Sequence, residues 1–172
     1  YLLRSPGLDV RIIRLVRDGR AVSLTYMDPA RFADAADPRM RCGGAGGGSR
    51  DAERLTIRKA AWEWRRSNEE ADALLKRLDR KRWIEVKYED LCSEPEATLR
   101  RIYAFAGVGT DATHENFRDR EHHVIGNGMR LDTTSEILLD ERWRSVLEAW
   151  HLEAFEEVAG EIGDLLKIVP DD

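Results

Sequence analysis

The sequence predicts an α/β fold in which helices cover a small parallel sheet. Two short runs, at 10–16 and 83–88, are rich in β-branched residues and are typical of strands. Segments with helical spacing of apolar residues separate and follow these runs, and such alternation favours parallel pairing. Because two parallel strands rarely make a sheet alone, we expect further strands, either unrecognised in this sequence or in sequence absent from this chain.

The composition fits a soluble globular protein and excludes several other classes. The 172 residues include 28 basic and 33 acidic side chains, which gives a net charge of −5. No apolar run approaches the roughly 18 residues of a membrane helix, and residues 1–7 do not resemble a signal peptide. The acidic balance argues against a general nucleic-acid binder. We expect one domain over residues 1–172, with no membrane span and no nucleic-acid partner; the sequence predicts no oligomeric state.

The first predicted unit is a strand, a tight turn and a helix. Val10–Val16 is apolar on both faces apart from two arginines, as in a buried strand of a parallel sheet. Asp18 is a suitable N-cap for a helix from about Arg20 to Met27. Residues 28–50 follow with two prolines and a glycine-rich run, which predict a flexible loop or an insertion. These glycines do not fit a phosphate loop, because no strand precedes them and no Lys-Ser or Lys-Thr follows.

The rest of the chain is predicted to be mostly helical. Residues 51–79 suggest a long helix or a helix pair, and 83–88 alternates as a second strand that ends in Tyr88. Ser93 and Glu96 form a capping-box pattern before a helix that Gly107 ends. Several apolar residues are expected to be buried on helical faces: Trp62, Trp64, Ala71, Leu74, Leu75, Leu78, Leu99, Ile102, Tyr103 and Ala106. Two late helices are expected to bury two further sets: Trp143, Val146, Leu147 and Trp150; and Phe155, Val158, Ala159, Ile162, Leu165 and Leu166.

The turn after the first strand is the strongest candidate for chemistry. Ligands of open α/β sheets gather at the carboxyl ends of strands, and a helix N-terminus there attracts anions. Arg17 stands at that strand end, where its guanidinium could hold a phosphate through two contacts, and Ser23 and Thr25 offer hydroxyl groups nearby. The alternative is that Arg17 pairs with a carboxylate while both hydroxyls bond back to their own helix.

Four segments in the same order resemble the PAPS-dependent sulfotransferase family. Residues 13–22, which read IRLVRDGRAV, resemble its 3′-phosphate-binding segment, usually Leu-Val-Arg-Asp-Pro-Arg-Ala-Val. The other three are similar to the family's Arg-Tyr-Glu-Asp-Leu, His-x-x-x-Gly-Asn-x-x-Arg and Asp-Glu-x-Trp stretches: residues 86–95, 123–130 and 140–143. The resemblance is greatest to the bacterial and carbohydrate-type branch. It implies a three-layer sheet-and-helix nucleotide-binding fold of the P-loop-like type, present here in part, with a helix-rich C-terminal part.

The resemblance also implies site residues and substrates. Arg17 would bind the 3′-phosphate of the nucleotide, with Thr25 at the family's serine position and Ser23 as a nearby substitute. Tyr88 would lie near the adenine or support the pocket floor, and Arg130 would reach the phosphate side. The donor would be PAPS, 3′-phosphoadenosine 5′-phosphosulfate, with no metal, and the acceptor a hydroxyl or amine of a carbohydrate or small molecule.

Three departures from the family pattern limit what the resemblance implies. Gly19 replaces the usual proline, which we expect to loosen the turn. The family's loop for the 5′-phosphosulfate and its catalytic base are not found, so the chain resembles the C-terminal part of a sulfotransferase and is expected to have weak or no activity alone. The catalytic residue is therefore unknown. A non-catalytic α/β interaction module, or a degenerate nucleotide-binding remnant, is the alternative.

The histidines and cysteines indicate little further chemistry. His122 and His123 are adjacent, so their side chains would diverge on regular structure, and no metal site is predicted. Cys42 and Cys92 have no metal-site spacing and are either two thiols or one bridge. We expect the cytoplasm of a bacterium as the location. The Golgi lumen is the alternative, which a bridge between the two cysteines would favour.

Overall fold

The computed structural model describes residues 7–28, 55–109 and 137–166, with side chains in the last range to residue 160. Helices separate and follow two parallel strands, which confirms the predicted α/β fold class. In chain order they are β1 (Ile12–Val16), α1 (Gly19–Met27), α2 (Ile57–Leu75), a 3₁₀ turn (Arg80–Arg82), β2 (Trp83–Lys87), α3 (Tyr88–Ser93), α4 (Pro95–Ala106), α5 (Trp143–Val146) and α6 (Ala149–Leu166).

Contacts group the described residues into two compact units. The first unit consists of residues 7–17 and 68–109, and the second of 18–28, 55–67 and 137–166. Helix α2 contributes its first half to the second unit and its second half to the first. The expectation of a single domain over residues 1–172 stays a prediction, and the predicted loop at 28–50 lies outside the described residues after Asp28.

The first unit is built on a parallel pair of strands. In the described ranges the sheet has two strands, with β1 parallel to β2 and Val16 opposite Lys87. Parallel pairing brings the carboxyl ends of both strands to one edge, so Arg17 and Tyr88, which follow them directly, come together there. Tyr88 was expected to continue the strand, but it begins helix α3 instead.

Strand β1 has one buried and one exposed face. Arg14 and Val16 are buried, whereas Ile13 is 44% and Leu15 56% exposed, so the expectation of an apolar strand buried on both sides was wrong. Arg14, only 9% exposed, pairs with Asp72 of α2 and with Glu85 of β2, the latter at 3.0 Å. Its Nη2 also donates to Asn68 Oδ1 at 2.9 Å. A buried guanidinium is tolerated here because carboxylates and an amide surround it.

We expect Arg14→Ala to lower the free energy of unfolding by about 1–3 kcal/mol, which urea denaturation would measure. This loss of stability is smaller than for a fully buried ion pair, because Asp72 and Glu85 are half-buried and water can solvate them once the arginine is removed. Arg100→Ala, at an exposed position of α4, is the matched control and should change stability by less than about 0.5 kcal/mol. Equal losses in both variants would contradict a structural role for Arg14.

Helix α2 is a single helix that buries a narrow stripe. Ile57, Ala60, Ala61 and Trp64 recur at helical spacing and are all buried in the second unit. Leu75 is buried as expected, but Leu74 and Trp62 are exposed, which corrects their predicted burial. The Trp62 ring instead contacts two cations, with Lys59 Nζ 4.2 Å and the Arg66 guanidinium 5.3 Å from its centroid.

The predicted capping box at Ser93 and Glu96 does not form. Ser93 is the last residue of α3, where its hydroxyl donates weakly to the Asp90 carbonyl at 3.5 Å, and Glu94 occupies the N-cap of α4 without a side-chain cap bond. Pro95 in the first turn is confirmed, as is Gly107 at the end, whose φ of 73° suits glycine. In the predicted stripe of α4, Ala106 is exposed, and Thr98 is the buried residue of this helix.

The late helices divide earlier than expected. Helix α5 is one turn that ends at Val146, and Leu147 is extended before α6 begins at Ala149. Trp143 and Leu147 pack with Ala21 and Leu24 of α1, forming a core cluster of the second unit. Trp150 was expected to share this buried face but is 55% exposed on α6. No helix in the described ranges has the length and apolar content needed to cross a membrane.

Candidate functional site

The start of α1 is held by its own cap. Asp18 Oδ1 accepts from the Arg20 backbone N–H at 2.8 Å, which confirms the predicted N-cap. The Arg20 side chain returns to the same carboxylate, with Nη2 2.6 Å from Oδ2, and its guanidinium lies 4.1 Å from the Trp143 ring centroid. The acidic cap and its arginine therefore neutralise each other at the first turn of α1.

Arg17 lies against Tyr88 at the carboxyl edge of the sheet. Its guanidinium carbon is 4.6 Å from the centroid of the Tyr88 ring, and both residues are half-buried. An aromatic face attracts a cation and limits its freedom, so the guanidinium is held in place before any ligand arrives. The structure thus brings together two of the five predicted site residues, within the first unit.

The two predicted hydroxyl groups differ in their surroundings. Ser23 is 0% exposed, and its Oγ has no hydrogen-bond partner among the described residues, although a buried hydroxyl ordinarily has one. Thr25 is half-buried and donates to the Ala21 carbonyl at 3.3 Å, the backbone bond that was the alternative for both hydroxyls. A serine or threonine oxygen still has lone pairs that accept from a ligand or water. Arg130 lies outside the described residues.

Gly19 is required by close packing, a role that the expectation of a loosened turn missed. A Cβ built on Gly19 would lie 2.6 Å from Phe155 Cζ and 2.7 Å from Trp64 Cδ2. Both rings are buried, with centroids 5.8 Å apart, so neither has room to move away. Glycine at this position therefore lets the start of α1 approach two aromatic side chains of the second unit.

Sequence reasoning also missed the polar partners of Arg14 and the surroundings of Trp150. An arginine in an otherwise apolar strand was the available signal for the first, since a buried cation needs acidic partners. Nothing in the apolar spacing distinguishes exposed Trp150 from buried Trp143. The described ranges contain no group of three or more histidine, cysteine or acidic side chains arranged to hold a metal ion.

Comparisons with known proteins give consistent results. A model described as "Sulfotransferase family" matches residues 9–112 of this chain. Carbohydrate sulfotransferase 5 of Mus musculus is 31% identical over 168 residues, which cover 92% of this chain and 42% of that protein. Carbohydrate sulfotransferase 6 of Homo sapiens is 32% identical over 152 residues, which cover 85% of this chain and 38% of that protein. The chain therefore spans less than half the length of these relatives.

A solved structure supports the fold. The sulfotransferase domain from the curacin biosynthetic pathway aligns with a TM-score of 0.60 over 90% of this chain and 54% of that chain. The identity of the two sequences is 20%, so this likeness concerns the fold. The helix-rich α/β arrangement described above is thus that of a sulfotransferase domain.

Proposed function

This chain belongs to the sulfotransferase family, and on that premise we propose that it binds PAPS through the nucleotide's 3′-phosphate. The reaction served would be the transfer of a sulfuryl group to a hydroxyl or amine. The curated relatives are named carbohydrate sulfotransferases, which favours a carbohydrate acceptor over another small molecule. The chain would carry the half of the machinery that anchors the nucleotide.

One observation supports the proposal above the others. Arg17 directly follows a strand of a parallel sheet and is held 4.6 Å above the ring of Tyr88. The planar guanidinium offers paired N–H donors that match two oxygens of a phosphate. Half-burial reduces the screening of its charge by water, so a bound phosphate would be attracted more strongly than at an open surface.

In this proposal the residues of the chain act mainly by positioning. PAPS supplies the sulfuryl group, and Arg17 fixes the far end of the nucleotide by holding its 3′-phosphate. Tyr88 keeps the guanidinium in place and offers an apolar ring beside the nucleoside. In-line group transfer from the donor oxygen to the acceptor atom depends strongly on such alignment. Thr25, Ser23 and Arg130 are further nucleotide contacts that the family resemblance assigns, and no catalytic base is assigned.

The compartment is part of the proposal. The likeness to carbohydrate sulfotransferases of mouse and human favours the Golgi lumen over the bacterial cytoplasm. Cys92 lies half-buried in α3, while Cys42 lies outside the described residues, so the bridge between them stays a prediction.

We expect calorimetry to detect saturable binding of adenosine 3′,5′-bisphosphate, the product left after transfer, to the whole chain. The affinity for this nucleotide should fall as the salt concentration is raised, because the contact with the phosphate is ionic. Absence of heat at millimolar ligand would contradict the proposal and favour a non-catalytic α/β module. With labelled PAPS and sugar acceptors, we expect slow or undetectable transfer by this chain alone, because the 5′-phosphosulfate loop is not found in it.

A further inference from the structure

The described residues that line one cavity all belong to the second unit. The cavity has a volume of about 510 Å³, in the range of sites for small ligands. The end of α1, the start of α2 and the first turns of α6 form it. Its walls include Met27, Ile57, Arg58, Trp150, Glu153 and Glu157. We propose that this cavity, the α6 cleft, binds an uncharged saccharide, and that within the proposed function this saccharide is the acceptor.

Trp150 provides the aromatic surface of the cleft. The residue is 55% exposed, although an indole is among the side chains most strongly favoured inside proteins. Its Nε1 donates to Glu148 Oε2 at 3.2 Å, and its ring stacks on the His151 imidazole with centroids 3.6 Å apart. These two contacts hold the indole in one orientation, so a ligand that stacks on it would lose little side-chain entropy.

The remaining walls of the cleft match the two kinds of surface on a sugar ring. Ile57 and Ala154 are buried and give an apolar floor for the C–H face of the ring. Glu153 and Glu157 are exposed carboxylates that can accept hydrogen bonds from the hydroxyl groups of a sugar. Arg58 can donate hydrogen bonds to the same kind of hydroxyl group. Arg58 also pairs with Glu157, so the two charged side chains lie next to each other in the cleft.

The charge of the lining favours a neutral ligand over an anionic one. Among the described lining residues one arginine stands against two glutamates, so their net charge of −1 would repel a sulfated or uronic sugar. An uncharged saccharide meets no such penalty and can use the carboxylates as acceptors. This preference separates the α6 cleft from Arg17, which is expected to attract an anion.

The position of the cleft along α1 connects it with the proposed function. Met27 lies four residues after Ser23 on the same helix, which corresponds to a rise of about 6 Å. Ser23 and Thr25 belong to the segment that resembles a nucleotide-binding stretch. An acceptor in the cleft would therefore lie at the end of the helix whose earlier turns carry the predicted nucleotide contacts. This link rests on the proposed function, whereas binding of the saccharide does not.

A glycan array carrying neutral and sulfated oligosaccharides tests the proposal with the whole chain and no nucleotide. We expect binding to at least one neutral glycan, and at least a tenfold loss of that binding in Trp150→Ala. Trp62→Ala is the matched control, because Trp62 is also an exposed tryptophan of the second unit (41%) but does not line the cleft. Glu153→Gln should still bind the neutral glycan, and it should bind sulfated glycans more strongly than wild type does. Circular dichroism of each variant verifies that it is folded.

Binding to no glycan, to sulfated glycans alone, or equally by wild type and Trp150→Ala would overturn the proposal. Failure of the proposed function gives a different result, since adenosine 3′,5′-bisphosphate would then produce no heat while the neutral glycan still bound. Conversely, nucleotide binding without glycan binding would overturn the proposal for the α6 cleft and leave the proposal for Arg17 intact. A Trp150→Ala chain that still binds the nucleotide shows that its loss of glycan binding is local.

Discussion

Gly19→Ala is expected to lower the free energy of unfolding by about 1–3 kcal/mol, and Gly19→Pro by more, as measured by urea denaturation. The added Cβ would approach Phe155 Cζ and Trp64 Cδ2 to 2.6 and 2.7 Å, and both rings are buried. Proline at the first position of a helix is otherwise favourable, and alanine is a better helix former than glycine. A loss of stability in both variants would therefore come from overpacking, against the local preference of the backbone.

Two further variants make this prediction specific. Gly109→Ala is the matched control, because nothing lies within 4 Å of a Cβ at that position, and its stability should change by less than about 0.5 kcal/mol. Trp64→Leu removes one of the two obstructing rings, so Gly19→Ala should cost less in that background than in the wild type. If Gly19→Ala leaves the free energy of unfolding of the wild-type chain unchanged, the close packing described for the start of α1 is contradicted.

Arg17→Ala is expected to weaken binding of adenosine 3′,5′-bisphosphate by about ten- to a hundredfold in calorimetry. Loss of a charge-assisted, two-contact hydrogen bond costs roughly 1.5–3 kcal/mol, which corresponds to that factor. Arg17→Lys should recover part of the affinity, since an ammonium keeps the charge but lacks the planar pair of donors. Stability should change little, because the residue is half-buried at the end of its strand.

Arg80→Ala is the control for this variant. Arg80 also lies over an aromatic ring of the first unit, 4.0 Å from the Trp83 centroid, but Trp83 begins β2 whereas Tyr88 follows its carboxyl end. Both substitutions remove a cation from an aromatic face and change the net charge equally. A similar loss of affinity in the two variants would mean that the nucleotide responds to overall charge, and Arg17 would lose its assigned role.

Local sequence signals predicted the elements that carry the site. The β-branched run before Arg17, the Asp18 cap and the Pro95 and Gly107 boundaries each depend on neighbouring residues, and all of them appear as expected. Strand 83–88 was also found, with its end one residue earlier. The contact between Arg17 and Tyr88 was not predicted, although it follows once parallel pairing aligns the carboxyl ends of the two strands.

The predictions that failed depend on contacts distant in sequence. Trp62 and Trp150 share the apolar spacing of their buried neighbours, and only the packing of α2 and α6 decides which tryptophans are covered. The Ser93 pattern has correct spacing for a capping box, but α3 extends through it. Gly19 could not be interpreted from its neighbours, because Trp64 and Phe155 reach it from two other helices. The α6 cleft likewise combines three helices that no local pattern associates.

The most direct test compares two nucleotides on two proteins. Adenosine 3′,5′-bisphosphate and adenosine 5′-monophosphate differ by the 3′-phosphate alone, so the ratio of their dissociation constants measures recognition of that group. We expect wild type to prefer the bisphosphate by about tenfold or more, and Arg17→Ala to lose most of this preference while Arg80→Ala retains it. An unchanged preference in Arg17→Ala would show that another group recognises the 3′-phosphate and would contradict the role given to Arg17.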